Sequence, residues 1–129
     1  MSSAPPVGAM LLGDVLRVRL PQRIPPGHEQ EATRPAVVVG MPNRLGPPRF
    51  PLIIVAPLTT DRGQPWAAAS PALYPQLPAG AGGLRGNSLV LLDQICALDP
   101  ARVDGFMGAL PHQAYQTIRD LLLRMLGRP

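Results

Sequence analysis

Two apolar runs rich in β-branched residues constrain this chain more than any other feature: Pro35-Ala36-Val37-Val38-Val39-Gly40 and Pro51-Leu52-Ile53-Ile54-Val55-Ala56-Pro57-Leu58. Runs this short, edged by Pro and Gly, read as buried strands. Polar residues abut both: Gly27-His28-Glu29-Gln30-Glu31-Ala32-Thr33-Arg34 precedes the first, and Thr59-Thr60-Asp61 follows the second. Arg34 and Thr59 therefore stand where core strands meet solvent. A packed scaffold holds such strand ends in fixed positions, where a few polar side chains can do chemistry.

Residues 14–20 alternate, with Leu16, Val18 and Leu20 on one face and Val15, Arg17 and Arg19 on the other, the pattern of a half-exposed strand. Further strands are predicted at 35–40, 51–58 and 88–93, with shorter ones near 66–69, 95–98 and 105–110. The last segment changes period: Tyr115, Ile118, Leu121, Leu122 and Met125 line one face of a helix, with Pro111 in its first turn and Gly127 at its stop. Short strands followed by one amphipathic helix imply a mainly β fold, a small and strongly curved antiparallel barrel with the helix packed on it. The 129 residues suffice for one domain. It is placed at 13–129, with 1–12 as a flexible extension outside the core. The linkers 21–34 and 70–87 are too polar, or too rich in Pro and Gly, for strands, and linkers of that length tend to carry function or mobility.

All 12 basic residues are arginine and stand against 8 acidic ones, a formal net charge of +4. A guanidinium fork offers paired donors that match two phosphate oxygens, so the charge suits a phosphate-bearing partner; a coding bias with a solubility benefit accounts for it equally well. The single cysteine, Cys96, lies in an apolar run, which excludes a disulfide framework and a cysteine zinc site and predicts a buried, inert thiol. The first twelve residues lack an early positive region and a long apolar stretch, and no segment has the length to cross a bilayer. The expected protein is soluble, intracellular and cytoplasmic.

Gly13-Asp14-Val15, then Gly27-x-Glu29-Gln30 with Arg34-Pro35-Ala36-Val37-Val38 following, then Pro57-Leu58-Thr59-Thr60, then Asp93-Gln94-Ile95, and finally a Pro-led helix form an ordered set. In this order and spacing the chain resembles the MazF/PemK (Kid) toxins of bacterial toxin–antitoxin systems, from Gly13 to Gly127. The resemblance implies an SH3-like barrel of the CcdB/MazF type and a two-fold homodimer that cuts single-stranded RNA at short motifs without a metal or other cofactor. It implies Arg34 and Thr59 as the catalytic pair, with Glu29 as a third member. It also implies a cognate antitoxin whose disordered, acidic tail lies over the basic groove.

Physical chemistry suits these roles. RNA carries its own nucleophile, the 2′-hydroxyl, so the protein has to align it with phosphorus and stabilise charge on the phosphate oxygens. Arg34 fits the second task through a permanent charge and a bidentate fork. Thr59 can donate a hydroxyl hydrogen bond to a phosphate oxygen, and Glu29 can accept the 2′-hydroxyl proton or orient Arg34. Plain structural roles exist for each: a solvated Arg34, held extended by the Pro after it; a turn at Thr59 and Thr60; and carboxylates at Glu29 and Glu31 that only solvate a loop.

Further candidates for contact with RNA are Arg17, Arg19, His28, Gln30, Thr60, Arg62, Arg85, Ser88 and Gln94, although Ser88 and Gln94 also suit the closing of strand ends. Trp66 and Tyr74 have rings that can stack on bases, with core or interface packing preferred for Trp66. His28 and His112 lack a carboxylate at ligand spacing, so no metal site is expected. Residues 70–87 are longer and richer in Pro and Gly than the family's usual linker, which leaves the cleaved motif open. Two other functions fit the same barrel: a poison of DNA gyrase like CcdB, or an RNA-binding module without catalysis.

Overall fold

The computed structural model describes Pro6 and residues 9–22 and 24–128. Seven strands carry the fold: β1 (Asp14–Leu20), β2 (Ala32–Gly40), β3 (Ile53–Thr60), β4 (Gln76–Leu77), β5 (Ser88–Val90), β6 (Cys96–Leu98) and β7 (Val103–Ala109). Two helices accompany them, the single turn α1 (Pro65–Ala68) and the longer α2 (His112–Met125). All strand pairs are antiparallel, in the order β4-β5-β3-β2-β1-β7, with β6 also on β3. The barrel expected from the sequence is thus a curled sheet that does not close. Among the described residues β6 pairs with β3 and β7 with β1, and no ladder joins those two ends. Register shifts on β1 against β7 and on β2 against β3 supply local bends.

β3 divides its length between two partners. Ile53, Ile54 and Val55 pair with β6, whereas Leu58, Thr59 and Thr60 pair with β5. Its pairing with β2 runs only from Gly40↔Ile54 to Ala36↔Pro57. Beyond that point the start of β2 and the end of β3 part company, which makes the site possible.

The sheet buries both faces at its centre. Leu16, Val18, Leu20, Ala36, Val38, Ile53, Val55 and Leu98 form one cluster; Val15, Val37, Ala56, Leu58, Val90, Leu110 and Ile118 form the other, beneath α2. Val15 therefore departs from the expected solvent face of β1: it belongs to the second cluster, with the Gly82 turn packed against its side chain. The helix face is as predicted at Ile118 and Leu122, which are buried, while Met125 is 40% exposed at the fraying end.

Other expectations need correction. The extension at 1–12 falls largely outside the described residues, but Met10 is 2% exposed within the first cluster, so the core begins before residue 13. The strand near 66–69 is instead α1: Pro65 supplies the fixed φ of a first helical turn, and Ala67 and Ala68 continue it. Trp66, on that turn, is 49% exposed and outside the core. Strand structure enters both linkers, since β2 begins at Ala32 and Gln76–Leu77 pairs with β5. Cys96 is half-buried at the edge of the first cluster rather than enclosed.

Candidate functional site

Where β2 and β3 separate, a groove opens between them. Continuing their register past Ala36↔Pro57 sets Arg34 opposite Thr59, where the β2–β3 ladder has stopped and β3 pairs with β5. Two adjoining hollows of about 390 and 420 Å³ share Thr33, Arg34, Pro35, Thr60 and Ser88 in their walls. Leu58, Thr59, Arg62 and Gln64 complete one; Arg17, Arg85 and Phe106 are among those completing the other. Together they have the size of a small-ligand site and lie open along one side, as a strand-like ligand requires.

Each polar side chain has a structural reason for its place. Arg34 is half-buried and donates from Nε to the Glu31 carbonyl at 2.9 Å. That anchor does not use the Nη pair, the edge that makes bidentate contact with phosphate. Thr59 and Thr60 are the last residues of β3, paired with Leu89 and Ser88. Ser88 is 7% exposed and donates from Oγ to the Gly86 carbonyl at 3.0 Å, fixing the turn that carries Arg85. Arg17 approaches Asp104 at 3.5 Å, with both side chains nearly half exposed, so the pair orients the guanidinium without neutralising the groove. Arg62 follows a strand end tied by Gln64, which accepts from the Arg62 N–H at 2.8 Å and donates to the Thr60 carbonyl at 3.0 Å.

The structure thus gathers Arg17, Arg34, Thr59, Thr60, Arg62, Arg85 and Ser88 around one groove. Others lie apart. Arg19 donates to the Ala101 carbonyl at 3.0 Å and does not line it. Glu29, His28 and Gln30 lie on the loop before β2, outside the groove walls. Gln94 clamps that loop: its Oε1 accepts from the Gln30 N–H at 3.2 Å, and its Nε2 donates to the His28 carbonyl at 3.3 Å. The structure therefore gives Gln94 a loop-holding position. Among the described residues no three His, Cys, Asp or Glu side chains gather into a metal-binding group.

Sequence reasoning missed Thr33, Gln64, Phe106, Met107 and Gly83. Thr33 sat beside Arg34 in plain view, but Phe106 and Met107 on β7 reach the groove only through the pairing of β7 with β1. Gly83 has φ +75°, and a Cβ there would overlap the Met107 carbonyl, so the groove wall depends on a glycine.

A small, open antiparallel sheet with arginines and hydroxyls converging where two strands part defines a class of β protein that presents a phosphate-suited groove. The family profile of PemK-like, MazF-like toxins of type II toxin–antitoxin systems matches residues 12–126. The chain belongs to that family. Among solved structures, a MazF from Deinococcus radiodurans is 26% identical, with a TM-score of 0.65 over 90% of this chain and 94% of that one. An endoribonuclease from a Mycobacterial species, in complex with its cognate antitoxin, is 21% identical with a TM-score of 0.66 over 94% and 98% of the two chains. The Mycobacterium tuberculosis toxin MazF-mt6 is 18% identical with a TM-score of 0.63 over 90% and 98%. No curated protein matches the chain.

Proposed function

We propose that this chain is a metal-independent, sequence-selective endoribonuclease toxin that cuts single-stranded RNA by attack of the ribose 2′-oxygen on the adjacent phosphorus. One observation carries the reading: Arg34 and Thr59, distant along the chain, line one hollow, and the β2–β3 register extended past Ala36↔Pro57 sets them at opposite positions. A phosphate in that hollow has a permanent cation on one side and a hydroxyl donor on the other, the arrangement that charge developing on its oxygens requires. As the 2′-oxygen bonds to phosphorus, the phosphorus–O5′ bond breaks and the departing O5′ takes a proton from solvent water. The products are a 2′,3′-cyclic phosphate and a 5′-hydroxyl. Glu29 is assigned the departing 2′-hydroxyl proton, from a loop that ends at Glu31, whose carbonyl anchors Arg34. Arg17, Arg62 and Arg85 hold the strand on either side of the cut phosphate.

The same reading extends to partners. The toxin is taken to be a cytoplasmic homodimer held inactive by a cognate antitoxin whose acidic tail occupies the arginine-lined groove; an antitoxin accompanies the Mycobacterial endoribonuclease of similar fold. No helix among the described residues is long and apolar enough to cross a membrane.

The test is cleavage of single-stranded RNA by purified protein in excess chelator, with the new ends identified. The reading requires cyclic-phosphate and 5′-hydroxyl ends, and loss of cleavage in folded Arg34→Ala. Absent cleavage, or undiminished cleavage by that variant, refutes it. Inhibition of DNA supercoiling without RNA cleavage would favour a gyrase poison instead.

A further inference from the structure

Beside the groove, on the far side of Gln64, lies a separate hollow of about 250 Å³. Asp61, Gln64, Ala67, Tyr74, Gln76 and Leu89 are prominent in its wall. We propose that it is a nucleobase subsite that selects guanine within one or two nucleotides of the cut phosphate. This rests on the RNA-cleaving reading of the neighbouring groove.

Three features argue for a base here and against a phosphate. The first is a fixed aromatic face. Tyr74 donates its hydroxyl to the Asp93 carboxylate at 2.7 Å, and Trp66 braces its ring edge-to-face, with centroids 4.8 Å apart. A ring held at both ends loses little freedom when a base stacks on it. The second is charge: the hollow holds a carboxylate and no arginine among its lining residues, unlike the groove it adjoins. It repels phosphate while the arginines next door attract it, so a bound strand keeps its backbone in the groove and turns a base into the hollow.

The third feature is the polarity of its hydrogen-bonding groups. Asp61 follows directly on β3, two residues after Thr59, and is tied down on both oxygens: Oδ1 accepts from the Gly63 N–H at 3.0 Å and Oδ2 from Gln76 Nε2 at 3.1 Å. Each carboxylate oxygen has lone-pair capacity for another donor, and a carboxylate donates nothing. The paired oxygens of the Asp61 carboxylate want a base with adjacent donors. Guanine presents N1–H and an amino group side by side, matched to two carboxylate oxygens; uracil offers one N–H between two carbonyls that the carboxylate repels. Asp61 lies two residues beyond Thr59, at most about 7 Å from it along the backbone, so the hollow adjoins the place assigned to the reacting phosphate.

The hollow has a built-in reporter, because Trp66 is the chain's single tryptophan and lies against Tyr74. Uncleavable 2′-deoxyuridine hexamers, either plain or carrying one guanine, adenine or cytosine, are titrated against the protein while its fluorescence is followed. The guanine hexamer is expected to bind at least about fivefold more tightly than plain deoxyuridine, the low end for a bidentate contact. Asp61→Asn, which offers one acceptor and one donor, should bring that ratio to within about twofold. Tyr74→Ala should weaken every hexamer by about tenfold through loss of stacking. Tyr74→Phe keeps the ring and should retain the guanine ratio, which guards against a mere folding effect. Equal affinity for all four hexamers, or a guanine preference untouched by Asp61→Asn, overturns the subsite. Chelated cleavage of RNA with the same proteins separates the two claims. Cleavage without guanine selectivity sinks the subsite alone; guanine-selective binding without cleavage sinks the nuclease reading alone; absence of both sinks both.

Discussion

Gln94 joins loop residues 64 and 66 positions away in sequence, through bonds to the Gln30 N–H and the His28 carbonyl. These are long, at 3.2 and 3.3 Å, and partly or wholly exposed, so each belongs near the lower end of a typical net contribution. Together they amount to about 1–2 kcal/mol, which corresponds to loop opening about 5- to 30-fold more often in Gln94→Ala. The Gln30 amide reports this directly by native-state hydrogen exchange and should exchange faster by that factor. Gln94→Glu should fall between, because a carboxylate still accepts from the Gln30 N–H but sets an oxygen against the His28 carbonyl. If Glu29, between the two tethered residues, takes the 2′-hydroxyl proton, kcat should fall in both variants while KM changes less than twofold. An unchanged Gln30 exchange rate in Gln94→Ala would refute the clamp.

Further outcomes follow from the packing and the titratable groups. Gly83→Ala should lower the urea midpoint strongly, since left-handed backbone costs an alanine about 1–2 kcal/mol and the new methyl also overlaps the Met107 carbonyl. Gly86→Ala, with open space around its Cβ, should leave the midpoint unchanged; equal midpoints for the two variants would contradict the packing of the groove wall. Both tyrosines should ionise above their ordinary value of 10, Tyr115 chiefly through burial and Tyr74 chiefly through its hydrogen bond to Asp93. A pKa raised by folding adds stability that is fully present below pH 10 and disappears as pH climbs through the folded value. Phenolate absorbance should therefore rise late in the native protein and earlier in urea, and coincident titrations would contradict this.

What the sequence made legible was largely local. Alternation at Leu16, Val18 and Leu20, the β-branched runs and the period of α2 follow from side-chain geometry within each element, and the structure has them. Residues 66–69 have the apolar content of a short strand, but Pro65 opens a helical turn there. The two-residue strand β4 exists only because β5 offers it a partner. The burial of Val15 depends on tertiary packing, with the distant Gly82 turn against its side chain. Half the groove was equally hidden: Phe106, Met107 and the glycine-rich turn before Ser88 reach Arg34 through tertiary pairing, which no local pattern encodes. Motif spacing singled out Arg34 and Thr59, and the register of β2 and β3 gives that pairing a spatial meaning. Glu29 had the same motif support, yet lies on a loop outside the groove walls.

A double-mutant cycle bears most directly on the central claim that Arg34 and Thr59 act on a single phosphate. Single-turnover cleavage is measured for the wild type, Arg34→Ala, Thr59→Val and the combined variant, with folding of each checked by urea unfolding. Loss of a preorganised donor costs about a hundredfold or more, and groups that act as a unit lose far less together than the product of their separate losses. The combined loss should be close to that of Arg34→Ala alone. Losses that multiply in full, or a folded Thr59→Val as active as the wild type, would contradict it.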